Sequence, residues 1–153
     1  MSEIIKVYVD YRMPHDKDTL EKEFSIDGVA DRYFEQNIWY KHDSCKNYDE
    51  IPKYLDFALK HFGRNIFAED AIKEMDSQGF RPATHLEGYA FVKYFPWLQY
   101  QFKIIAVGSY MYYGDDDYDY CIAFRSKDSK SILSYVWFYG ESTSETRFLF
   151  VKK

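Results

Sequence analysis

Residues 79–90, Gly-Phe-Arg-Pro-Ala-Thr-His-Leu-Glu-Gly-Tyr-Ala, divide the chain. Before them, apolar residues recur mainly with helical spacing; after them, the period shortens to two. The ring of Pro82 crowds Arg81 away from helical angles, so the chain is expected to turn here. Gly79 can adopt the left-handed conformation that ends helices. Thr84 and Glu87 have the spacing of a capping box, in which the threonine caps the helix and the glutamate reaches back to its amide. One helix is therefore expected to stop at Gly79 and another to start at Thr84 and run to about Phe95, before Pro96. Leu86, Tyr89, Ala90, Lys93 and Tyr94 would share its inward face, with the Lys93 stem snorkelling. Arg81 is expected to anchor the corner through carbonyls or a carboxylate, and His85 to be exposed. Each residue of the stretch has a structural reason to be there, so it reads as the pin of the fold and not as an active site.

Upstream, Ile4–Tyr11 alternates as a strand ended by Pro14, and residues 15–23 read as a charged loop or short exposed helical turn. Residues 25–28 are turn-like. Residues 29–39 are expected to form a short helix with Val29, Tyr33, Phe34 and Ile38 inward, followed by a polar loop over 42–47. Asp49 as N-cap, Pro52 in the first turn, and the stripe Ile51, Leu55, Ala58, Leu59 and Phe62 predict a helix ending at Gly63. A further helix is expected from about Ala68 to Gln78, with Ala71, Ile72 and Met75 inward. Downstream, strands are expected over 103–113, 118–125, 131–139 and 146–153, with Gly108 marking a bulge or a close backbone approach. The last strand is apolar on both faces and should be central. The expected class is α+β: helices in the middle of the chain packed on a mainly antiparallel sheet, joined by the N-terminal strand, in one domain spanning 1–153.

Composition narrows the function classes. No run approaches the roughly 20 apolar residues of a spanning helix, and mean hydropathy is −0.53. The start of the chain lacks the pattern of a secretory leader. Its two cysteines, Cys45 and Cys121, lie far apart. A reducing, cytoplasmic setting is expected. Net charge is −5 with no basic block, which opposes phosphate neutralisation and direct nucleic-acid binding. Aromatic content is high, with 16 Tyr, 13 Phe and 3 Trp. Tyrosine serves both core edges and binding surfaces.

Gly79-Phe80-Arg81, Thr84, Glu87, Tyr89-Ala90 and the ending Arg147-Phe148-Leu149-Phe150-Val151-Lys152 resemble the formylglycine-generating-enzyme branch of the C-type-lectin-like fold. The likeness covers roughly residues 68–153. Pro82-Ala83 stands where that branch has Leu-Pro, and Cys45 and Cys121 do not match its cysteine pair, so oxidase chemistry is not implied. The Gly-Phe-Arg-Pro-Ala-Thr wording, with Ala106-Val107-Gly108-Ser109 and the Arg-Phe-Leu-x-Val-Lys-Lys end, also resembles uncharacterised bacterial or phage-associated small proteins. Together these imply a scaffold, and a scaffold does not give a function.

The histidines show no metal-ligand spacing, and no phosphate loop or nucleophile elbow occurs. No catalytic residue, metal site or cofactor is assigned. The distinctive surface candidates are Tyr110, Tyr112, Tyr113 and Tyr118 around the acidic turn Asp115-Asp116-Asp117. Tyrosine offers large contact area at low rotamer cost. These seven residues predict a protein-binding face for a basic partner surface. With the resemblance, this fits a phage or mobile-element inhibitor of a host nucleic-acid-handling protein. Two alternatives are a metal-assisted enzyme using Asp115–Asp119, and an oligomerising protein with an aromatic seam.

Overall fold

The computed structural model describes residues 3–28, 30, 38–113 and 118–153, with the backbone alone for Tyr112, Tyr113 and Tyr118. In chain order the elements are β1 (Ile4–Val9), α1 (Lys17–Leu20), β2 (Ser25–Ile26), β3 (Trp39–Lys41), β4 (Lys53–His61), β5 (Ile66–Phe67), α2 (Ala68–Asp76), β6 (Phe80–Pro82), α3 (His85–Tyr94), β7 (Ile104–Tyr113), β8 (Tyr118–Lys127), β9 (Lys130–Trp137), β10 (Glu141–Ser142) and β11 (Arg147–Lys152). Short 3-10 turns cover Asp43–Cys45 and Pro96–Tyr100. No helix among the described residues is long and apolar enough to cross a membrane.

The fold is mixed α+β, dominated by one large, mainly antiparallel sheet. Its strand order is β1-β4-β11-β7-β8-β9-β2, with β3 added beside β7 and β6 beside β11. β11, apolar on both faces, lies centrally, as expected. Leu149 and Val151 enter the core under α3, while Phe148 and Phe150 enter the core under α2. The two helices therefore cover opposite faces of the sheet. Burial on both faces explains why β11 is apolar at four consecutive positions, Phe148–Val151, all fully buried.

The helix expected over residues 49–63 is instead strand β4. Leu55, Phe57 and Leu59 alternate onto the α3 face, where all three pack in that core. The same residues also satisfy a helical stripe, because Leu55 and Leu59 lie four apart. Pairing decides between the two: β4 bonds β1 on one side and β11 on the other. A helix there would leave β1 without a ladder and β11 without its partner along 147–151. Pro52 precedes the strand, where a missing amide costs nothing.

Both helices flanking the pivot form close to where their end signals put them. Gly79 takes φ 87° after α2. The Thr84 capping box is complete at the start of α3. This helix is buried from His85 through Val92, while Lys93 and Tyr94 are exposed. The inward face read from spacing is thus too narrow at one end and too long at the other. Asp128 and Ser129 join β8 to β9 with φ of 52° and 62°, the signature of a tight type I′ hairpin turn. The expected helix over 29–39 lies mostly outside the described residues, and at its end Trp39 is in strand β3.

Strands β7 and β11 pair in parallel only at Ile104–Ile105 against Arg147–Phe148. They then part. β6 fills the β11 side of the fork and β3 the β7 side. A register shift in β7 between Ala106 and Met111 swings that strand away from β8. Gly108 stitches the fork: its amide donates to the Ala83 carbonyl at 2.7 Å, and its carbonyl accepts from the His42 amide at 2.9 Å. A Cβ at position 108 would lie 2.5 Å from the Ala83 oxygen. The close approach expected at Gly108 is therefore real, and only glycine permits it.

Candidate functional site

The pivot sits in this fork. Arg81 Nη1 donates to Glu87 Oε1 and Nη2 to Glu87 Oε2, both at 2.8 Å, and both side chains are buried. Glu87 Oε1 also accepts the Thr84 amide at 2.8 Å, and Oε2 accepts the Tyr11 hydroxyl at 2.6 Å. Arg81 Nη1 additionally donates to the Pro82 carbonyl. The Tyr48 ring covers the guanidinium at 4.6 Å. Burial alone would raise the Glu87 carboxyl, but its bonds to Arg81, Tyr11 and Thr84 more than offset this and hold it below its ordinary value. Burial, and then the Glu87 charge, push the Tyr11 hydroxyl up. Glu87 thus closes the capping box, pairs Arg81 and ties strand β1 to α3 through Tyr11. Arg81 anchors the corner through a carboxylate and a carbonyl, as its position predicts.

His85 is buried, against the expectation of exposure. The first turn of α3 points into the fork, where Trp39 of β3 stacks on the imidazole at 4.2 Å and 11°. Ser109 Oγ accepts the His85 amide at 2.7 Å and lies 2.8 Å from Nδ1. With the Ser109 hydroxyl donating its hydrogen bond to an unprotonated Nδ1, the ring is neutral. Burial, then the charges of His15 and Lys41, lower its pKa to about 3. A serine–histidine pair of this geometry could in principle activate a hydroxyl nucleophile. Ser109 is 1% exposed and already holds the helix amide, so the pair acts as structure. Cys45 is spent likewise, its thiol bonded to the Pro82 carbonyl and raised by burial. Burial pushes Cys121 up to about 12. Burial therefore disfavours the reactive thiolate at both positions.

Of the seven tyrosine and aspartate residues put forward from sequence, Tyr110 is fully described. It lies directly across from Tyr40 in the β3–β7 ladder. The two rings stack at 6.1 Å. Tyr110 also packs on Phe138 at 5.8 Å, and Phe138 on Tyr139 at 5.1 Å. Tyr40 and Tyr139 are 47% and 53% exposed, so this aromatic run reaches solvent at both ends. His42 flanks Phe138 and bonds Glu69 of α2. Burial and the neighbouring Asp119 carboxylate raise the Tyr139 hydroxyl. Tyr112 and Tyr113 follow Tyr110 along β7, and Tyr118 opens β8, but their side chains are outside the described set. Asp115, Asp116 and Asp117 lie outside the described residues.

Tyr40 and Tyr139 were not among the residues singled out from sequence. The β3–β7 pairing that brings Tyr40 to Tyr110 has no local signal, since β3 is three residues long. Phe138 and Tyr139 were expected to continue the strand over 131–139, but β9 ends at Trp137 and both lie in the turn that follows, so strand alternation does not describe their neighbours. Among the described residues, no three His, Cys, Asp or Glu side chains gather as a metal-ligand set.

Comparison with protein-family models, with curated proteins and with solved structures finds no match.

Proposed function

We propose that this chain is a non-enzymatic protein-binding module whose contact face is the aromatic run Tyr40–Tyr110–Phe138–Tyr139, together with the tyrosines and aspartates that the sequence places between residues 112 and 118. The observation that carries this reading is the continuity of the run: four rings in successive contact, with its two end tyrosines about half exposed. Tyrosines in such rows combine apolar area with a hydroxyl at low rotamer cost, which suits recognition more than storage of core area. The adjoining Asp115–Asp117 sequence and the net charge of −5 favour a partner with a basic surface. The pivot's resemblance to the C-type-lectin-like branch bears on the scaffold and brings no activity with it. The Ser109–His85 and Cys45 groups support a structural assignment, which favours binding over catalysis.

The test is paired co-purification from source cells. Wild-type protein is compared with a variant carrying Tyr40→Ser, Tyr139→Ser and Asp115–Asp117→Ser. A partner retained by wild type, released by raised salt and lost by the variant supports the reading. Equal recovery on both baits would overturn it. A concentration-dependent dimer that the variant abolishes would favour self-association.

A further inference from the structure

We propose a second, independent site: a cleft between the C-terminal end of α3, the Pro96–Tyr100 turn and the start of β9 binds a small single-ring organic acid bearing a hydroxyl group. The cavity measures about 280 Å³. That is far more than one water needs and close to the lower end of ligand sites, roughly 300–1,000 Å³. An adjoining cavity of about 290 Å³ shares Glu23, Phe24 and Ser131 with it.

The inner wall is polar and built. Gln99 is 3% exposed. Its Nε2 donates to Ser131 Oγ at 2.9 Å, and the Tyr100 hydroxyl lies 3.2 Å from the same Oγ. Gln99 Oε1 is buried without a partner. Buried amide oxygens are nearly always bonded, so an orphan beside a cavity marks a place for a ligand group. Exchanging the two ends of the amide would orphan its nitrogen instead. A hydroxyl answers both cases, since it donates and accepts.

Phe24, Val92 and Pro96 supply apolar walls that suit a flat ring. The mouth is cationic. Lys93 lines the first cavity, and Lys22 and Lys130 the second. No ion pair engages these three ammonium groups among the described residues. Glu23 is the opposing carboxylate, because Glu21 is paired with Lys17. An excess of cations on a chain of net charge −5 is local and points to an anion at the mouth. The ligand's carboxylate would meet the lysines while its hydroxyl reaches Gln99.

The probe is 4-hydroxybenzoate, titrated into ¹⁵N-labelled full-length protein, with benzoate and 4-hydroxybenzyl alcohol as controls. Expected are saturable shifts of the Gln99 side-chain amide, Val92 and Ser131. Benzoate, which lacks the hydroxyl, and 4-hydroxybenzyl alcohol, which keeps the phenol but lacks the anionic carboxylate, should each bind about fivefold more weakly. Gln99→Met, which keeps the volume without the polar atoms, should also lose about fivefold. Should that variant fail to fold, the surface double variant Lys93→Ala/Lys130→Ala decides, with weakened binding that depends less steeply on salt, since Lys22 remains. No shifts up to millimolar probe, equal binding of all three probes, or an unaffected lysine variant would each overturn the proposal.

Discussion

Glu87 grips Arg81 through two parallel 2.8 Å bonds, at a point where neither side chain reaches solvent. The same carboxylate closes the α3 capping box and accepts the Tyr11 hydroxyl. One side chain therefore joins the pivot, the helix behind it and the first strand. Removing one partner leaves the other as an uncompensated buried charge. Glu87→Gln should cost about 3–5 kcal/mol in urea unfolding. The double replacement Arg81→Met/Glu87→Met should cost less than the sum of its single changes. Additive single costs would show that the pair is not coupled.

Gly108→Ala should cost more than about 2 kcal/mol. Its methyl would press on the backbone oxygens of Ala83 and Pro82, and backbone cannot swing aside as a flexible side chain can. Thermal or urea unfolding measures the loss. A variant as stable as wild type would mean that the fork is not stitched at this point.

His85 gives stability a pH dependence with a definite sign. Its folded pKa is lowered to about 3 by burial and by the charges of His15 and Lys41, whereas the unfolded chain titrates near 6.5. Between those values the unfolded chain holds one more proton than the folded one. Stability is then full above about pH 6.5 and falls as pH drops, by about 1.4 kcal/mol per unit. Glu87 and the surface carboxylates with lowered values add their own losses only nearer pH 4. The window from pH 6 to 5 avoids the carboxylates, and comparison with His85→Gln separates His85 from the other three histidines. Urea titrations there should show the slope in wild type and not in His85→Gln.

Asp128 and Ser129 both take left-handed angles in a two-residue turn. A side chain in that region costs about 1 kcal/mol, and Asp-Gly is the preferred pair for the turn. Ser129→Gly should raise the unfolding free energy by about 0.5–1 kcal/mol. An unchanged or lower value would contradict the turn assignment.

The pivot was legible because its signals are local. A proline, a left-handed glycine and a capping box act within four residues of themselves, and the structure keeps all three. β11 was legible for a related reason, since burial on both faces writes an uninterrupted apolar run. Residues 53–61 were misread because Leu55, Ala58 and Leu59 fit a helix as well as a strand, and the choice is made by β1 and β11, which lie far off in sequence. His85 was misread for the same reason. A first-turn histidine is normally wet, and here Trp39, 46 positions earlier, stacks on it while Ser109, 24 positions later, bonds it. Tyr110 was picked out by composition, while its ring partners are brought in from distant segments, Tyr40 by the β3–β7 pairing and Phe138, with Tyr139 beside it, by the turn after β9, and no local pattern announces either.

The most direct measurement on the aromatic face is site-specific photo-crosslinking in source cells. A benzophenone amino acid replaces either Tyr139 or Tyr54. Both positions are well exposed, at 53% and 66%, and both side chains contact another aromatic ring. They differ in place: Tyr54 lies in β4 against the edge strand β1, outside the run. Each exchange should change stability by no more than about 0.5 kcal/mol. The expected result is a discrete protein adduct from position 139 and none from position 54. Equal adducts from both positions, or none from position 139, would contradict the assignment of this face as the binding surface.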